Sequence, residues 1–274
     1  MDVIQLELKM TAMKKTVETF VTRCMAMSVC LALVMTGTGF IASCDRQDDE
    51  EPAIEEHRGQ WNGVMDEYDL TTDDLLGMLA EVAPEIANFN SILRPYFCDI
   101  HIAKIKYLTE DQNGKLIETS GIVSFPTGKY ALKEYSHILS IQHGTADINS
   151  GPTDQRFFIE SSPVLSGEVI VCADYLGYGI SKTADRKHTY FHDRTTGTAC
   201  ADMIEAARQY LKTRTEMVCT ADSIRLIGYS QGGQATMATL FELQRLGHGK
   251  DISLVWSGGG PHDLMHFLSM YMDH

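Results

Sequence analysis

The residues with the most chemistry in their spacing are Gly228-Tyr229-Ser230-Gln231-Gly232, followed by Gly233. An apolar run, Ser223 to Ile227, leads into this string, and a helical pattern from Gln231 to Leu246 leads out of it. A serine at such a strand-to-helix turn projects its hydroxyl above the sheet edge, where it can attack an acyl carbon. The flanking glycines leave room for the turn. The helix that starts at Gln231 aims free N–H groups and the positive end of its dipole at the same point. Ser230 is the candidate nucleophile, and the Gln231 N–H is a candidate donor to the oxyanion.

Two further motifs precede it. His143-Gly144-Thr145 ends a short strand, His137 to Gln142, and Gly144 or Thr145 could offer a second backbone N–H to the same oxyanion. His143 is read as a loop-shaping residue rather than a base, because a serine on this kind of strand-to-helix turn takes its base from later in the chain. Asp174-Tyr175-Leu176-Gly177-Tyr178-Gly179-Ile180-Ser181 follows the strand Glu168 to Ala173, with Asp174 expected to anchor a turn rather than act as an acid.

The elements that must position these residues can be placed by periodicity. Thr71-Thr72-Asp73 caps a leading helix with Leu75, Leu76, Leu79 and Val82 on one face. Ile100, Ile102 and Ile105 mark a strand, Asn113-Gly114 a hairpin turn, and Ile117 to Phe125 the returning strand. Strand and helix then alternate: helices over Thr198–Leu211 and Gln231–Leu246, and a last strand at Ile252–Trp256. The expected fold class is α/β: a mostly parallel sheet with a leading antiparallel hairpin and helices on both faces.

With these motifs in order, the stretch from Tyr96 to Leu264 resembles the α/β-hydrolase superfamily, and within it the bacterial esterase and secretory-lipase-like branch. The segment Gly258-Gly259-Gly260-Pro261-His262-Asp263-Leu264 belongs to the same likeness. The resemblance implies a serine hydrolase that cleaves carboxylic esters through an acyl-enzyme on Ser230, with Gln231, Gly144 and Thr145 lending backbone N–H groups. A serine peptidase of the same fold and a non-catalytic surface scaffold are the competing readings. The implied substrate is a small-molecule ester or lipid, and no cofactor or metal is called for.

In this fold the acid and the base follow the nucleophile. Only 44 residues follow Ser230 in a chain of 274. Helix and strand use most of them, so the domain, residues 61–274, is expected to lack its C-terminal strands and to be weak or inactive. The apolar segment Leu264 to Met272 reads as the first helix of a cap. His262 and Asp263 could form a compact base and acid. The favoured alternative has Asp263 capping the helix at Leu264, since neighbours in one turn rarely both reach one hydroxyl.

The N-terminus carries targeting information. Met13-Lys14-Lys15 opens a basic segment to Arg23, and an uncharged apolar run from Cys24 ends in Ile41-Ala42-Ser43-Cys44. This resembles a bacterial lipoprotein signal over residues 1–43, with 1–12 an over-extended start and Cys44 the lipidated residue. Residues 44–60 read as an acidic flexible tether, of the kind found in surface-exported lipoproteins of Bacteroidetes. The expected location is the outer membrane or cell surface of a Gram-negative bacterium, held through the lipid on Cys44. A net charge of −14 argues against nucleic acid as a partner. Cys98, Cys172, Cys200 and Cys219 could pair after export, and their spacing does not choose a pairing.

Overall fold

The computed structural model describes residues 58–82, 84–128, 131–183, 188–263 and 269. The expected signal segment, Cys44, the expected tether up to residue 57 and the apolar segment after Asp263 (Ser269 apart) lie outside the described residues. Arg58, Gly59 and Gln60, at the end of the tether, are bound into the fold. The Arg58 guanidinium pairs with Asp202 at 3.0 Å and Glu242 at 2.8 Å, and the Gly59 N–H donates to the Leu108 carbonyl.

Seven strands form one sheet: β1 (Trp61–Leu70), β2 (Asp99–Glu110), β3 (Leu116–Thr127), β4 (Glu134–Gln142), β5 (Ile170–Ala173), β6 (Val218–Tyr229) and β7 (Ile252–Gly258). Their spatial order is β1-β2-β3-β5-β4-β6-β7. The β1/β2, β2/β3 and β3/β5 pairs are antiparallel, whereas β5, β4, β6 and β7 run parallel. The sequence reading contains the β2–β3 hairpin but not β1. Most of the β1 side chains are exposed or half-buried, so its sequence lacks the alternation that marks a half-buried strand. Its partner, not its pattern, makes it a strand.

The β2–β3 turn falls where Asn113-Gly114 places it. Gly114 takes φ 77°, a left-handed value that suits glycine. The Asp111 carboxylate accepts from the Asn113 and Lys115 N–H groups at 2.8 and 3.0 Å, which closes the loop.

Helix α1 (Thr72–Val82) begins with a reciprocal cap. The Thr71 Oγ accepts from the Asp74 N–H, and the Asp74 carboxylate accepts from the Thr71 N–H. Leu75 and Leu76 are buried as expected. Helices α2 (Asp193–Leu211) and α3 (Gln231–Arg245) pack together on one face of the sheet. They cover Ala103, Ile105, Val123, Phe125, Ile138, Val171 and Leu226. On the other face, α1 and the 3-10 segment Ile159–Ser166 cover Ile100, Ile102, Ile122, Leu139, Ile141 and Ile170. Each such aliphatic side chain contributes about 1.5–3 kcal/mol when fully buried.

The four cysteines sit in this interior. Cys98, Cys172, Cys200 and Cys219 are all buried, and among the described residues none is paired in a disulfide. Among the described residues no helix is long and apolar enough to cross a membrane, and no group of His, Cys, Asp or Glu is arranged to hold a metal ion.

Candidate active site

The parallel register sets the site. Gln142 lies beside Gly228, and Tyr229 beside Gly258, so β4, β6 and β7 end together at one sheet edge. Carboxyl ends of parallel strands are where ligands bind in open α/β sheets.

Ser230 stands at this edge, solvent-exposed, with φ 58° and ψ −120°. That is a strained conformation for a residue with a Cβ, costing roughly 1–3 kcal/mol. Its N–H donates to the Gly258 carbonyl at 2.8 Å, which ties the turn to the end of β7. The glycines are steric requirements. A Cβ at Gly232 would lie 2.0 Å from the Gln142 carbonyl oxygen, and one at Gly228 would lie 2.2 Å from the Gly232 carbonyl oxygen. Only bare backbone lets α3 start this close to β4. Gln231 is the first residue of α3, so its N–H has no acceptor within the helix.

The loop after β4 is held from three sides. Its His143 ring is fully buried and stacks on Tyr175, with centroids 3.9 Å apart. The His143 Nδ1–H donates to the Gly144 carbonyl at 2.7 Å, while Nε2 is buried with no partner among the described residues. Burial pushes the imidazole down to about 4, so it is neutral at pH 7. That fits a loop-shaping role. The Tyr175 and Tyr178 hydroxyls donate to the His143 and Ala146 carbonyls, each at 2.9 Å. Glu160 completes the set: its carboxylate accepts from the Gly144 N–H, at 3.0 Å through Oε2 and 3.3 Å through Oε1. Burial raises the Glu160 carboxyl above the usual range, and the bond to Gly144 opposes this.

Asp174 anchors the next turn. It is fully buried and accepts from the Ser120 Oγ at 2.6 Å, from the Thr153 N–H at 3.2 Å, and from the Thr153 Oγ. A Cβ at Gly179 would fall 2.1 Å from its Oδ2. Burial raises its carboxyl to about 6, against the pull of these donors.

Of the residues read from sequence, Ser230, Gln231, Gly144 and Thr145 are brought to one sheet edge. His262 is not brought to the Ser230 hydroxyl. Its Nε2–H donates to the Ser257 Oγ at 3.1 Å, and Ser257 in turn donates to the Gly233 carbonyl at 2.8 Å. The ring is spent on bracing the start of α3. Asp263 follows it with an interaction of its own. Among the described residues no imidazole bonds the Ser230 hydroxyl.

Two residues at the site carried no signal in the sequence reading. The His188 Nδ1–H donates to the Leu176 carbonyl at 3.0 Å, and its Nε2 accepts from the Gln231 side-chain amide at 2.6 Å. The Tyr190 hydroxyl bonds the Thr145 Oγ1 at 2.8 Å. Both lie in an irregular segment between a turn and a helix, where periodicity says nothing.

No protein-family model matches the chain, and comparison with curated proteins finds no match. Solved structures do match. The rice cell wall degrading esterase LipA from Xanthomonas oryzae is 27% identical with a TM-score of 0.57, over 78% of this chain and 52% of that one. A ligand-bound form of the same esterase is 26% identical with the same TM-score, over 76% and 52%. A structure from Legionella pneumophila is 22% identical with a TM-score of 0.55, over 72% and 52%. The chain therefore spans about half the length of these solved structures. A mixed seven-stranded sheet with helices on its faces, together with the likeness to the LipA structures, gives the chain an α/β-hydrolase fold.

Proposed function

We propose that this chain is a serine hydrolase, esterase- or lipase-like, that cleaves carboxylic esters through an acyl-enzyme on Ser230. The observation that carries the reading is the conformation of Ser230: φ 58°, exposed, at the mouth of α3 and beside the loop that holds Gly144 and Thr145. Strain of this kind persists where the surrounding structure over-determines it, as at active sites. The likeness to an esterase at 27% identity supports an ester as substrate.

In this mechanism the Ser230 oxygen bonds to the acyl carbon as its proton passes to solvent water, and the ester C–O bond then breaks, so that the alcohol leaves with a proton from water and the acyl group stays on Ser230. The developing oxyanion takes hydrogen bonds from the Gln231 N–H and from the loop after β4, and the helix dipole adds to them. No base is identified for Ser230 among the described residues. Where a serine has no base, an oxyanion hole and binding alone sustain roughly 10³–10⁴-fold over water.

A fluorophosphonate probe tests the nucleophile. Labelling of the full chain that disappears in Ser230→Ala supports the reading, and labelling that persists in the variant overturns it. Short acyl esters compared with amino-acid amides test the substrate: turnover of amides alone would favour a peptidase.

The location is part of the same proposal. The segment Met13–Cys44 supports export and a lipid on Cys44. Radiolabelled fatty acid should enter the expressed protein, and Cys44→Ser should abolish its incorporation.

A further inference from the structure

The segment His188–His192 touches both sides of the expected oxyanion hole. His188 takes the side chain of Gln231 through Nε2 at 2.6 Å, and Tyr190 takes the side chain of Thr145 through its hydroxyl at 2.8 Å. Gln231 and Thr145 come from different strand ends, after β6 and after β4. Their backbone N–H groups are the ones the site can offer to an oxyanion, since the Gly144 N–H already donates to Glu160. Two residues spaced by one in a single short segment therefore grip both.

The segment is itself held firmly. His188 is fixed at its other ring nitrogen by the Leu176 carbonyl. Its ring packs against Tyr178, with centroids 4.7 Å apart, and against Tyr190 at 5.7 Å. Phe191 takes φ 56°, unusual for a bulky side chain, and its ring lies 4.0 Å from that of Tyr190. His192 caps α2 by accepting the Thr195 N–H on its Nδ1. The Thr189 and Thr195 hydroxyls bond at 2.8 Å, and the Asp193 carboxylate accepts from the Gln234 amide of α3. The side chain of Gln231 is buried, and its Oε1 has no partner among the described residues. The bond to His188 is thus what orients it.

We propose that the His188–His192 segment is a clamp that sets the separation of the Thr145 and Gln231 N–H groups, with His188 and Tyr190 as its positioning residues. A donor displaced by a few tenths of an ångström weakens its bond to an oxyanion, so the clamp acts on the rate of attack more than on binding. The inference rests on the reading of Ser230 as the nucleophile.

The test follows two readouts in the full chain: the backbone amide resonances of Thr145 and Gln231, and the rate at which a fluorophosphonate labels Ser230. Tyr190→Phe removes one hydroxyl and leaves the ring. It is expected to shift the Gln231 amide as well as that of Thr145, and to slow labelling about five- to tenfold, the worth of one neutral hydrogen bond. Thr145→Val should slow labelling equally, and the double variant no further, because both remove the same bond. His188→Leu should move the Thr145 amide from the far side of the hole, whereas His188→Gln, which keeps an acceptor, should restore much of the rate. The clamp is overturned if Tyr190→Phe leaves the Gln231 amide in place, or if the losses in the double variant add. Amide shifts that cross the hole in a chain that never labels at Ser230 would uphold the clamp and overturn the reading of the nucleophile.

Discussion

The Gly144 N–H donates to the Glu160 carboxylate, 3.0 Å from Oε2. This bond fixes the start of the loop after β4 and occupies a donor that the sequence alone would assign to a substrate oxygen. On the proposed reading of the site, Thr145 and Gln231 are left to supply the oxyanion hole.

Glu160 therefore offers a direct check on which donors act. Glu160→Gln keeps an acceptor for Gly144 and should leave the labelling rate of Ser230 within about twofold, or about 0.4 kcal/mol. Glu160→Ala frees the Gly144 N–H. Faster labelling in that variant, measured side by side with wild type, would show that Gly144 faces the substrate after all.

The strain at Ser230 should be recoverable. Ser230→Gly relieves φ 58° and is expected to stabilise the protein by about 1 kcal/mol in urea unfolding, net of the extra freedom of glycine in the unfolded chain. Ser230→Ala keeps the strain and should change stability by less than about 0.5 kcal/mol. Both should abolish labelling. Gly232→Ala, whose Cβ would meet the Gln142 carbonyl at 2.0 Å, should cost more than about 4 kcal/mol and yield little folded protein on expression.

Asp174 predicts one arm of the pH dependence. Its folded value, about 6, lies above the ordinary carboxylate value of 3.8, so the folded state binds more protons between them. Its contribution to stability therefore falls as pH rises from about 4 to about 6. Asp174→Asn cannot ionise. The stability of wild type relative to this variant should be greater at pH 4 than at pH 7, as read from urea midpoints. Because Asp174 anchors a turn, the variant should still label at Ser230.

His143 predicts the opposing arm. Its folded value, about 4, lies below the ordinary 6.5, so the unfolded chain takes up the proton first. Its contribution is complete above about pH 6.5 and is lost as pH falls toward 4. In His143→Phe, which keeps an aromatic ring against Tyr175, this loss should vanish. The gap between wild type and variant in urea unfolding should narrow from pH 7 to pH 4.5, and an NMR titration of the His143 ring should find its midpoint near 4.

The parts of the site that were legible in sequence are local. A serine between glycines at a strand-to-helix switch can be recognised because backbone sterics demand those residue types within five positions. His143-Gly144-Thr145 and the Asp174 turn were legible for the same reason. The likeness to LipA is consistent with that reading of the fold. Thr71-Thr72-Asp73 was recognisable as a helix start because a cap is satisfied within one turn, although the structure has Asp74, not Asp73, complete it with Thr71. By contrast β1 left no periodic trace, since its order comes from hydrogen bonds to β2 and not from a buried face of its own. His262 could serve as a base judging by its position in the chain, but only its bond to Ser257 revealed that the ring is used elsewhere.

The sequence by itself determined where the serine of the proposed site lies and which backbone must be bare around it, because those constraints act between neighbours in the chain. Tertiary structure alone decided what surrounds it. Glu160 reaches Gly144 across 16 residues, Tyr190 reaches Thr145 across 45, and His188 reaches Gln231 across 43. Polar pairs so far apart leave no periodic signature. They exist because the parallel register of β4, β5 and β6 brings their connecting loops to a single edge, where each polar group must find its partner.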